Sequence, residues 1–164
     1  MSRVDLILFD EEYKQILEAI TRLRTESNAL SVFMIEKSGQ TMASTGNVSE
    51  IDVTALASLA AGNVAATEGL AGLIGESEFS TLFHEGAHQN ILMTLIEGRV
   101  ILVVVFNESS SLGLVRLRVR RAGIELAGIL EAVQSKAASG VSPGGQDAPF
   151  AGISDEDIDS LFAD

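Results

Sequence analysis

The sequence predicts an α+β domain in the order α–β–β–α–β–β–β–α, a five-stranded antiparallel sheet with helices on both faces. Three observations lead there. Three stretches place apolar residues at i, i+3, i+4 spacing, the signature of helices with a buried stripe. Five shorter runs are rich in strand formers, and short glycine-bearing turns join several of them into hairpins. One of these runs, Val100 to Phe106 (VILVVVF), is apolar at every position. Such a strand belongs in mid-sheet, covered on both sides.

The first element is the helix from Asp10 to about Ser27-Asn28. Tyr13, Ile16, Leu17, Ile20 and Leu23 form its stripe, and Glu11, Glu12, Lys14, Glu18, Arg22 and Arg24 lie elsewhere. Acids lead and bases trail, as the helix dipole favours. Before it, Val4 to Phe9 is a brief apolar lead-in, read as a strand or an anchor. Leu30 to Ile35 is the first strand of the sheet. Lys37 to Gln40 turns the chain, with Gly39 free to take a positive φ, and Thr41 to Thr45 returns beside it. Gly46-Asn47 breaks that strand.

The long helix comes next, from Asp52 to Glu76, stopped by Gly75. Leu56, Leu59, Asn63, Thr67, Leu70, Leu73 and Ile74 share a face, expected to pack on the protein's own core, with Asn63 and Thr67 a hydrogen-bonded buried pair. A second stripe holds only small residues: Ser58, Ala61, Ala65, Gly69 and Gly72. A solvated face would carry Lys, Glu and Gln instead. Interior glycines cost a helix about 1 kcal/mol each relative to alanine, and close approach by another backbone offsets such a cost. The small stripe therefore reads as a contact surface. The alternative is a central helix buried on all sides, for which the chain is short.

Glu78 to His84 is a short strand, with Phe79 to Phe83 at an exposed sheet edge. Glu85-Gly86 turns, Asn90 to Glu97 is a strand, and Gly98-Arg99 is the tight turn into Val100. The serines after Asn107 suit the cap of a last helix, Leu112 to about Lys136, with Val115, Val119, Ala122, Leu126, Ile129 and Val133 inward. Val115 to Val119 alternates like a strand, but the 3.6-residue period runs on past it and favours the helix. Residues 1–137 thus form the domain. Residues 138–152, with both prolines of the chain, form a flexible linker. Residues 153–164 (ISDEDIDSLFAD) are too short for a stable helix alone in water and are expected to be disordered when free and to fold on docking to a partner through the apolar edge Ile153, Ile158, Leu161 and Phe162; a disordered tail without a role is the alternative.

The chain has 164 residues, a net charge of −12 and no cysteine. That leaves no disulfide framework or thiolate metal site. The acidity argues against nucleic acid and anionic membrane as partners and favours a basic protein surface. No apolar run is long enough to span a bilayer. There is no phosphate-binding G-x-x-x-x-G-K-[ST] loop and no G-x-S-x-G nucleophile turn. His84 and His88 straddle Gly86 in a turn, which reads as a polar turn and not a metal site. Arg99, Arg116, Arg118, Arg120 and Arg121 are the candidates for an arginine supplied to a partner; the ordinary meaning of such a run is a solvated or ion-paired helix face.

The element order resembles that of the roadblock family of small dimeric domains. SLAAGNVAATEGLAGLIGE, EFSTLFHEG, SLGLVRLRV and the tail APFAGISDEDIDSLF are similar to its bacterial MglB branch, over nearly the whole chain. The resemblance implies a homodimer that acts on MglA, a small Ras-like GTPase of cell polarity and gliding motility, and speeds its GTP hydrolysis. Paired long helices would face the GTPase switch region, with Ala65 and Gly69 at the contact and no inserted arginine. The seam would involve the long helix and the Phe79–Phe83 edge. The C-terminal helix would dock on a second face of the GTPase and influence nucleotide exchange. On this reading the protein has no catalytic site and no cofactor of its own, since GTP, GDP and Mg²⁺ belong to the partner. Its expected location is cytoplasmic, concentrated at a cell pole. The rival readings are a roadblock scaffold that binds without altering catalysis, and a ligand-sensing domain with a pocket near Asn63 and Thr67.

Overall fold

The computed structural model describes residues 10–140. Its elements follow the expected order: α1 (Asp10–Ser27), β1 (Ser31–Glu36), β2 (Thr41–Gly46), α2 (Val53–Leu73), β3 (Thr81–Glu85), β4 (Gln89–Ile96), β5 (Val100–Asn107) and α3 (Leu112–Ala138). The lead-in at Val4–Phe9, most of the linker and the C-terminal helix lie outside the described residues. The sheet runs β2-β1-β5-β4-β3, with every neighbouring pair antiparallel. β5 is its centre, and Val100 to Phe106 are all buried.

The pleat of β5 divides the core in two. Val100, Leu102, Val104 and Phe106 point to one side, where Ile16, Ile20 and Leu23 of α1 meet Val115, Leu126 and Ile129 of α3. Ile101, Val103 and Val105 point to the other, where Phe33 and Ile35 meet Ala57, Ala60 and Val64 of α2. The result is three layers, with α1 and α3 on one face of the sheet and α2 alone on the other.

Local chemistry explains the boundaries. Asp52 caps α2, its Oδ1 accepting from Ala55 N at 3.1 Å. Ser111 caps α3 in the same way, accepting from Leu114 N at 3.2 Å. The 3.6-residue period wins over the alternation at Val115–Val119, and that segment is helical. Gly39 takes φ +99° in the β1–β2 turn. The β4–β5 turn sits one residue earlier than expected. Glu97 (φ +55°) and Gly98 (φ +64°) carry the left-handed backbone, and Arg99 N closes it on Ile96 O at 3.1 Å. β3 likewise begins later, at Thr81, because its ladder to β4 starts at the Thr81–Thr94 pair. The exposed edge is therefore Thr81–Glu85 and not Phe79–Phe83.

Glu12 corrects the reading of α1. It is buried and not solvated, because its carboxylate faces α3 and pairs with the Lys136 ammonium. That hydrogen bond holds the Glu12 carboxyl below its usual range and raises Lys136. Tyr13, expected on the inner stripe, is 43% exposed. Arg22–Glu125 (2.9 Å) and Arg118–Glu26 (3.4 Å) also bridge α1 and α3. These pairs are open to solvent and hold little stability.

Candidate functional site

The inner face of α2 is made of its small residues. Ala57, Ala60, Val64 and Ala71 are buried, at the i, i+3, i+4 spacing of one stripe. They sit over Phe33, Ile35, Ile101, Val103 and Val105, whose bulk fills the space between helix and sheet. Against those bulky sheet side chains α2 places three alanines and one valine. The larger apolar stripe is thereby turned outward. Leu59 is 73% exposed, Leu70 57%, Leu73 83% and Ile74 69%. This overturns the expectation that these four pack on the protein's own core; only Leu56 of that stripe joins the core margin.

The small stripe lies beside the leucines. Ser58, Ala65, Gly69 and Gly72 are exposed. A Cβ added at Gly69 or Gly72 would meet nothing within 4 Å. Ala61 departs from the outer stripe: it is half-buried against the α2 side of the core, and its Cβ lies 3.8 Å from a Cβ built at Gly39. The β1–β2 turn thus lies against the flank of α2 beside Ser58 and Ala61, and the glycine in it answers to its φ of +99° and not to crowding. From that turn Lys37 pairs with Glu68. No base occurs between Lys37 and Arg99 in the sequence, yet the fold brings one to the edge of the small stripe. Sequence reasoning missed Lys37 because the contact is between a turn and a helix far along the chain.

Asn63 and Thr67 do not form a pair. Asn63 Nδ2 lies 3.2 Å from His84 Nε2 on β3, and Thr67 Oγ1 donates to Val64 O at 3.0 Å. The Asn63–His84 bond ties α2 to the sheet edge, so the outer helix face and β3 form one surface. Phe83 on β3 stacks on Phe106 at 6.2 Å between ring centroids, which anchors that edge to the core. The surface has an apolar centre of leucines, a flank of bare backbone and a polar margin at Asn63 and His84. Among the described residues no three His, Asp or Glu side chains cluster as a metal ion would need. No described helix is long and apolar enough to cross a membrane. Arg116, Arg118, Arg120 and Arg121 sit on α3, across the sheet from α2. Such a surface offers shape and apolar area to a macromolecular partner.

A family model for the Roadblock/LC7 domain matches residues 15–106. The structure of Myxococcus xanthus MglB is similar at 49% identity and a TM-score of 0.74, covering 78% of this chain and 96% of that one. The gliding protein MglB of Thermus thermophilus is similar at 30% identity and a TM-score of 0.74, covering 80% of this chain and 99% of its own. A structure of MglB with a tetrameric arrangement is similar at 30% identity and a TM-score of 0.75, with 80% and 99% covered. Comparison with curated proteins gives no match.

Proposed function

The chain belongs to the Roadblock/LC7 family and is of the MglB type, and on that premise we propose that it is a homodimeric activator of a small Ras-like GTPase of the MglA kind. The observation that carries this reading is the outer face of α2. Leu59, Leu70 and Leu73 are large apolar side chains left mostly exposed along one helix, and such a cluster marks a contact surface. A twofold partner would cover it with the same strip, and the edge strand β3 would pair with its twin. Two small-residue stripes would then lie side by side across the seam, open to a third body.

In this account Ser58, Ala65, Gly69 and Gly72 receive the GTPase. Their role is to let a switch segment approach the helix backbone, and Ala61 acts from beneath by seating the β1–β2 turn. The GTPase brings its own nucleotide and Mg²⁺, so this chain needs no cofactor. It contributes position: a switch held in the hydrolytic arrangement loses less freedom on reaching the transition state. No arginine enters the nucleotide site, and the account has the arginines of α3 facing away from it. The C-terminal segment, with Ile153, Ile158, Leu161 and Phe162, docks on a second face of the GTPase and promotes exchange. The complex acts in the cytoplasm, at a cell pole, in polarity and gliding.

Ala65→Arg combined with Gly69→Arg tests the face. Both positions are exposed and a Cβ at 69 meets open space, so the fold and the dimer are expected to persist. Binding of an MglA-type GTPase is expected to vanish in titration calorimetry. Unchanged binding would remove the stripe from the interface. A scaffold that binds without altering hydrolysis is the second reading, and the same exposed face serves it equally.

A further inference from the structure

We propose that the trough between α3 and the underside of β3–β4 docks the acidic C-terminal segment of this same chain. The trough exists because two helices cannot cover five strands. α1 lies over β1 and β2, α3 lies over β4, and the underside of β3 is left at the margin of α3. One pocket of about 290 Å³ opens there, lined by Thr81, Leu92, Thr94, Arg116, Val119 and Arg120. It shares Thr94, Val119 and Arg120 with a second hollow of about 330 Å³ that runs on to Ile124 and Ala127, with Glu97 at its margin. The two adjoin along α3, with Leu92, Val119, Ile124 and Ala127 as the apolar part of the lining, Thr81 and Thr94 beside them, and Arg116 and Arg120 as the cationic wall.

Charge selects the occupant. In a chain of 23 acids and 11 bases, four arginines fall within Arg116–Arg121. Arg118 pairs with Glu26, but Arg116 and Arg120 make no ion pair among the described residues. Ile124 beside them is 74% exposed. The sequence ISDEDIDSLFAD holds five acids and no base, with Ile158, Leu161 and Phe162 at helical spacing. An acidic helix with one apolar edge matches a trough with a partly apolar lining and a cationic wall.

Reach permits it. α3 ends at Ala138. At 1.5 Å per residue the trough, from Ala127 back to Arg116, lies about 16 to 33 Å from that end. Roughly 14 residues separate Gly140 from Ser154, and they extend to at most about 46 Å, with a relaxed span near 20 Å. The segment therefore doubles back along α3 without strain, and the tether keeps its local concentration in the millimolar range. Docking on the trough does not rest on the GTPase reading. Its consequence does: a segment held on α3 is withheld from any second face of the GTPase, so the trough would be the resting place from which the GTPase draws it.

The chain has no cysteine, so Ser160→Cys carries a single nitroxide in the full-length protein. Paramagnetic broadening of amide signals is expected at Thr81, Thr94, Arg116, Arg120 and Ile124, and not on α2. It should disappear in Arg116→Glu/Arg120→Glu, which alters exposed side chains only, and weaken severalfold in 1 M salt, where the Debye length shrinks to about 3 Å. Broadening that is absent, that centres on α2, or that survives the charge reversal would overturn the proposal. So would broadening seen only on unlabelled copies mixed with labelled ones, since the segment would then dock between chains. No GTPase is present in this experiment, so its failure leaves the proposed activity standing.

Discussion

Leu59→Ala isolates the outer face of α2. Leu59 is 73% exposed in the protomer, so its truncation removes little packing from the folded chain. The change deletes three carbons, each worth about 0.8 kcal/mol when taken out of water. Scaled by the exposed fraction, the loss is about 1.8 kcal/mol per protomer. A twofold interface counts each position twice, which gives about 3.5 kcal/mol per dimer, or a dimer about 300-fold weaker. Sedimentation equilibrium across a concentration series measures that shift, and circular dichroism of dilute samples checks that the protomer remains folded. A change in dimer affinity below about fivefold would refute the assignment of the leucine strip to the seam. The leucines would then face some other partner.

Three further outcomes follow from the coordinates. Gly46 has φ +98° and an added Cβ would stand 2.3 Å from Leu30 O; Gly46→Ala should cost about 1–3 kcal/mol in denaturant titration. Gly128 lies within α3 with nothing within 4 Å of a Cβ, so Gly128→Ala should gain about 0.5–1 kcal/mol in the same assay. The Glu12–Lys136 pair sets a pH window. Glu12 titrates below its ordinary 4.5 in the fold, so its contribution is complete above that value and is lost as pH falls through the lowered folded value. Lys136 is raised above 10.5, so its contribution is complete below that value and is lost as pH rises through the raised one. Glu12→Gln should flatten the acid limb of a melting-temperature profile, and an unchanged limb would remove the pair from the account.

The fold was legible because its signals are local or periodic. VILVVVF declared a covered central strand, and the 3.6-residue period of Leu112–Lys136 outran the brief alternation inside it. The face of α2 was misjudged for a physical reason. Hydrophobicity ranks leucine above alanine and so assigns the leucine stripe to the inside. Where the sheet itself supplies Phe, Ile and Val, the space between the layers is already filled from below, so small residues suffice on the helix and the large ones are left outside. The chain did carry a clue: Ala57, Ala60 and Val64 follow one another at helical spacing with no polar residue between them on that stripe, whereas Leu59 is followed on its stripe by Asn63 and Thr67. Glu12 and Lys37 were missed because their partners, Lys136 and Glu68, are set by tertiary packing and not by spacing. Ser58, Ala65, Gly69 and Gly72 were found exposed as expected, since small residues on helical spacing are legible whatever they contact.

The central claim is that this chain accelerates hydrolysis on a GTPase without lending it a catalytic group. Single-turnover GTP hydrolysis by the cognate MglA-type GTPase tests it, with the full chain and with a version ending at Ser139. The account predicts acceleration by both, since the dimer of α2 faces is the activator and the C-terminal segment serves exchange. A complex that forms while the hydrolysis rate stays at its intrinsic value would contradict it, and the protein would then be a scaffold.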